Sequence, residues 1–257
     1  MATSAGVSRV STGDVRFFTV MAWIMAITIL AGFTRNLATG LSSFAVPAAY
    51  HVHAVIFMGW VALYLAQATT MQAGAIALHV RLGKLAYAFI PAMMIAGTVL
   101  MVVVTRRNGG PFFFSTNEFL VSNTMVLWTF GGLAWWALKR RRYDGWHRRL
   151  MLCAMAILTG PGLGRLLPMP LFIPYAWPAS IAASWIFPVI GMIADKRMRG
   201  QVHPAYYWGL GIYVAVFAIS MAIAYSPPGY AMTEWMVSGT LGAERPMSPF
   251  LPPEFAM

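Results

Sequence analysis

The chain has 257 residues, of which 59% are hydrophobic and only 10% are charged. Soluble domains carry roughly 25% charged residues, so most of this chain is not built to meet water. Its net charge of +11 sits where membrane topology would put it, which argues against nucleic acid as a partner, and its single cysteine excludes an intramolecular disulfide framework or a Cys-ligated cluster.

Taken in order, residues 1–16 read as a small, polar N-terminal tail. The first apolar stretch, 17–33, is long for a signal peptide, and Arg35 precedes the only small-residue site, Ala38-Thr39-Gly40. A retained first helix is expected. Further stretches follow at 52–71, 85–104, 119–138, 150–156 running on toward Leu167, 171–194 and 205–225. A spanning helix needs about 20 mostly apolar residues, and backbone in lipid must satisfy its own hydrogen bonds. The fold class expected is therefore an all-α polytopic membrane bundle of about seven helices over residues 17–226, with a core of the second to fifth. Gly160-Pro161-Gly162 predicts a break in the fifth helix. Residues 227–257 hold six prolines and read as an external tail, in which 230–237 could lie at the interface.

Thirteen of the eighteen basic residues fall in the N-terminal tail and in the connections after the second, fourth and sixth stretches. The positive-inside rule then puts the N-terminus in the cytoplasm of a bacterial inner membrane, with anionic headgroups as partners.

A shift of 68 residues lays the second and third stretches on the fourth and fifth, a parallel repeat. It matches Trp60 with Trp128, His79 with His147, Arg81 with Arg149, Leu82 with Leu150 and Ala86 with Ala154. His79 and His147 could ligate a haem b iron axially, with Arg81 and Arg149 on its propionates; equally, they could mark a polar helix start bound to lipid phosphates. His203, at the start of the seventh helix, could join them as a third histidine or belong to a plain topogenic loop. At the other end, His51 and His53 could chelate copper or zinc only at a frayed turn, since a helix sets them about 200° apart; a solvated histidine is the alternative. Asp195 is placed to pair with Arg199. Trp60 and Trp128 could pack against a flat ligand, a porphyrin or quinone, or serve as large packing residues. No carboxylate lies mid-span, and phosphate-loop, zinc-protease and nucleophile-elbow motifs are absent, so ordinary transport coupling and catalysis are not expected.

The motifs "YHVHAVIFMGWVALYLAQ", "LHVRLGKL", "WHRRLML" and "DKRMRGQVHPAYYWG" together resemble a family of uncharacterised bacterial multi-pass membrane proteins. "HRRLM" at 147–151 is similar, more distantly, to small membrane proteins that assist cytochrome oxidase assembly. The resemblance implies the topology above and points to Arg35, His51, His53, Trp60, Gln67, His79, Arg81, His147, Arg149, Asp195 and His203. Val80 departs from it, standing where a second basic residue is common. Two functions follow as expectations. One is an accessory or assembly component of a respiratory-type membrane complex. The other is a membrane redox protein holding haem b, or copper or quinone.

Overall fold

The computed structural model describes residues 12–143 and 145–252. Arg9 and most of the expected N-terminal tail, Asp144 and residues 253–257 lie outside it. Among these residues ten α-helices run in order: α1 (Thr12–Ala38), α2 (Ala48–Gln72), α3 (Ile76–Gly83), α4 (Ala86–Asn108), α5 (Asn123–Lys139), α6 (Trp146–Leu166), α7 (Ala176–Ser184), α8 (Ile186–Arg199), α9 (Pro204–Ala224) and α10 (Pro227–Val237). No strand occurs among the described residues.

Among those residues, five segments are long and apolar enough to cross a membrane: Gly13–Ala38, Ala48–Gln72, Ile76–Asn108, Ala176–Arg199 and Pro204–Ala224. The fourth and fifth stretches from the sequence, α5 and α6, are not among them. α5 has 17 residues and continues a π-helical turn, Glu118–Ser122. α6 carries Arg148, Arg149, Arg165 and three glycines. It can do so because nearly every residue from Arg149 to Gly162 is buried against other helices rather than against lipid.

α1, α2, α4, α5 and α6 close a ring in which each packs on the next, with α1–α6 the most extensive contact. The core is thus a ring that includes α1, not the second to fifth helices alone. α9 packs on α5 and α6, while α7 and α8 cover α6. Trp60, Ile90, Met93, Phe130, Ala134 and Leu150 to Leu158 fill the interior.

Two expectations are corrected here. The fifth helix does not break at Gly160-Pro161-Gly162; α6 runs through Pro161 to Leu166. The glycine there serves close approach. A Cβ on Gly162 would sit 2.9 Å from the Ile29 Cα, and one on Gly32 would sit 2.4 Å from the Gly162 carbonyl oxygen. Second, the first helix starts before residue 17: Asp14 is already in the first turn of α1, buried, and pairs with Arg148 and with Arg199. The C-terminal segment folds back as a cap. Arg245 donates to the carbonyls of Gly110 at 2.8 Å and Phe114 at 2.8 Å, and Thr116 N–H donates to the Met247 carbonyl at 2.9 Å.

Candidate functional site

At the end of the bundle that the basic residues mark, two helices begin with a histidine in the first turn. α3 is a short helix that returns the chain from α2, and its His79 ring lies back against that helix. Its Nδ1–H donates to the Gln67 carbonyl of α2 at 3.2 Å. α6 repeats the arrangement: His147 Nδ1–H donates to the Ala137 carbonyl of α5 at 2.9 Å. A carbonyl can only accept, so in each neutral ring the proton is on Nδ1 and Nε2 keeps its lone pair. The two rings lie beside one another, centroids 6.5 Å apart and nearly perpendicular at 87°.

That separation has chemical content. Metal–imidazole bonds are about 2.0 Å long, so two imidazoles on opposite sides of one ion place their centroids roughly 6 Å apart. Anchoring Nδ1–H on a carbonyl is also how metal-bound histidines are oriented. No group of three or more His, Cys, Asp or Glu able to hold a metal occurs among the described residues. Two histidines leave a zinc ion two donors short of its usual four. They suffice for a haem, which brings four nitrogens of its own and needs axial ligands from the protein.

The remaining sequence candidates divide. Arg81 is exposed beside His79. Arg149 is fully buried and bidentate on Asp195, Nε to Oδ2 at 2.7 Å and NH2 to Oδ1 at 2.6 Å. Its NH1 donates to the Gly145 carbonyl at 3.1 Å, and Phe18 and Tyr206 stack on it. Gly145 makes room for this: it adopts φ +73°, and a Cβ there would lie 2.5 Å from Arg149 NH1. Arg199, the partner expected for Asp195, stands farther off, at 3.8 Å. His203 caps α9, its Nδ1 accepting from Ala205 N–H at 3.1 Å, with its ring edge-on to Trp146. His51 is exposed, whereas His53, on the same unbroken helix, stacks on Phe57 at 3.9 Å. Trp60 is buried edge-on to Phe130, but Trp128 is 53% exposed and donates to Thr98 Oγ1 at 3.1 Å.

At the opposite end lies a group that sequence reading passed over. Glu118 is buried and accepts from the Tyr225 hydroxyl at 2.8 Å and from Ser115 N–H at 3.1 Å. Burial raises its carboxyl above the usual range despite those bonds, and burial pushes the Tyr225 hydroxyl up to about 12. Glu118 precedes an apolar stretch and looks like an ordinary helix-start acid; only the return of Tyr225 from the end of α9 reveals the pair.

No family model, curated protein or solved structure matches the chain.

Proposed function

We propose that this chain is a seven-span inner-membrane protein, N-terminus in the cytoplasm, that holds haem b between His79 and His147 as a subunit of a respiratory-type membrane complex or of its assembly. One observation carries the reading: two histidines from successive hairpins, each with Nδ1–H on a main-chain carbonyl and centroids 6.5 Å apart. The five apolar segments support the membrane setting. α5 and α6 bring the spans to seven: α6 is buried among other helices and needs no apolar surface of its own, and α5 turns Trp128 and Trp135 outward.

A bound haem would supply a one-electron couple. The chain's own residues would orient and shield it. The carbonyls of Gln67 and Ala137 fix both imidazoles. Of the two arginines the sequence pairs with the histidines, Arg149 is committed to Asp195 and Arg81 is exposed. The matched histidine bonds also support a parallel repeat of α2 to α4 on α5 and α6; the unequal burial of Trp60 and Trp128 does not.

The test is haem content of the purified protein in His79→Ala, His147→Ala and His203→Ala. Loss in the first two with folding intact, and retention in the third, is the expected result. Retention in all three would defeat the reading.

A second reading, a cofactor-free accessory subunit of the same kind of complex, is favoured by an apolar groove between α5 and α9. It measures about 630 Å³ and is lined by Met125, Trp128, Gly132, Trp136 and Ile212 among others. That reading expects no absorbance, and a partner whose co-purification is lost in Gly132→Trp.

A further inference from the structure

An open groove of about 870 Å³ lies at the end of α4. It is lined by Pro47, which precedes α2, by Val103, Arg106 and Arg107 of α4, and by Leu241 and Glu244 of the C-terminal segment. All three charged side chains are exposed, and none forms an ion pair among the described residues. Two cations and an anion thus share one groove without meeting. The dipole of α4 favours cations in its last turn. That accounts for the two arginines, but not for Glu244 lining the same space unpaired.

The walls are fixed in place. Gly242 packs so closely on α4 that a Cβ there would overlap the Thr105 carbonyl. Arg106 NH1 donates to the Met236 carbonyl at 3.3 Å, and Arg107 lies over the Tyr50 ring at 5.7 Å. An arginine has five N–H donors, so both retain donors for a ligand. Below the charges the groove runs onto the outer side of α4. Ile95, Val99, Val103 and Arg107 recur at four-residue intervals, a ridge along the helix. Ile95 is 67% and Val99 48% exposed. From Val103 to Ile95 the ridge covers about 12 Å, less than half of a hydrocarbon core about 30 Å thick.

We infer that this groove binds an aminophospholipid of the phosphatidylethanolamine class. Its phosphate meets Arg106 and Arg107, its ammonium meets Glu244, and one acyl chain follows Val103, Val99 and Ile95. Guanidinium and phosphate form charge-assisted hydrogen bonds, and a primary ammonium brings three donors to a carboxylate. A phosphatidylglycerol head offers Glu244 no cation, and the quaternary ammonium of phosphatidylcholine offers it no N–H. The inference rests on the membrane setting proposed above. It is independent of the haem and of which leaflet this end faces.

The experiment is native mass spectrometry of the full chain in detergent, titrated separately with dimyristoyl phosphatidylethanolamine, phosphatidylglycerol and phosphatidylcholine. One saturable site is expected, holding the ethanolamine lipid about fivefold more tightly than the other two, the upper end for one solvent-exposed ion pair. Glu244→Gln should abolish that preference without weakening phosphatidylglycerol. Arg107→Gln should weaken all three lipids, and Arg142→Gln, an exposed arginine outside the groove, should change nothing. Every substituted side chain is exposed, so folding is not at stake. Equal affinity for the three lipids, or a preference that survives Glu244→Gln, would overturn the inference. Free phosphoethanolamine binding as tightly as the lipid would also overturn it, since the occupant would then be a soluble zwitterion. Failure of every phospholipid to bind would count against the membrane setting as well, whereas loss of haem alone would leave this site untouched.

Discussion

Among the described residues Arg149 is the largest fully buried side chain, and its environment states the terms on which an apolar bundle keeps a charge. Both carboxylate oxygens of Asp195 meet it, Gly145 accepts from its remaining nitrogen, and two aromatic faces cover it. Breaking such a pair strands one charge and costs about 3–5 kcal/mol, whereas replacing both partners with apolar residues costs far less. Arg149→Ala should therefore lower the thermal midpoint in detergent sharply, and Arg149→Met combined with Asp195→Leu should recover most of it. Glu118 is the opposite case, a buried carboxylate with no ion-pair partner among the described residues. Its raised pKa means that the folded chain binds that proton more tightly than the unfolded chain. Its contribution is therefore favourable in acid and is lost as pH rises through the raised value. Glu118→Gln should gain on the parent in thermal midpoint as pH goes from acid to neutral. A constant difference would remove the carboxyl from the account. The amide fits the site once flipped, with oxygen toward Ser115 N–H and NH2 toward the Tyr225 hydroxyl, so its own cost stays small.

α6 shows what an element's sequence hides. Read alone, Gly160-Pro161-Gly162 is a breaker, and the expectation of a broken helix followed from that. What one segment does not carry is the identity of its neighbour. Gly162 lies against the backbone of α1 at Ile29 and Gly32, so the glycine is there for contact, and the same lack of a side chain that weakens a helix lets two helices touch. Gly32→Val should push the pair apart and cost about 1–3 kcal/mol or more. Gly132→Ala, where a Cβ meets nothing within 4 Å, should leave the midpoint unchanged or raise it slightly, as alanine favours a helix interior over glycine. Equal effects of the two in thermal unfolding would mean that the close approach is not what stabilises the pair. The helix starts were easier to read than the helix middle. His203 before Pro204 predicts the cap of α9, and the repeat singles out His79 and His147, two histidines whose rings the fold brings to 6.5 Å. Their carbonyl partners, Gln67 and Ala137, have no signature of their own, because a carbonyl is common to every residue.

For the whole molecule, composition alone was enough to expect helices long and apolar enough to cross a membrane, as five are, and the distribution of arginine and lysine carries the proposed orientation. The sequence was least legible where helices cover one another. α6 is too polar by lipid standards because other helices, not lipid, surround it, α5 is short because a π-helical turn precedes it, and the ring of α1, α2, α4, α5 and α6 is a property of their contacts. The orientation is open to a direct check. With Cys153 replaced by alanine, a cysteine at Gln201 should be shielded from a membrane-impermeant maleimide in right-side-out vesicles, and one at Ser238 should react. The reverse pattern would invert the topology and move both histidines to the outer face. The central claim is the haem between them. Its most direct test is the absorbance spectrum of the detergent-purified protein, oxidised and then dithionite-reduced, from cells supplied with ample haem. A Soret band that shifts on reduction, with one haem per chain, is the predicted result. A featureless spectrum from folded protein would contradict it and leave His79 and His147 as the pins that tie α3 to α2 and α6 to α5.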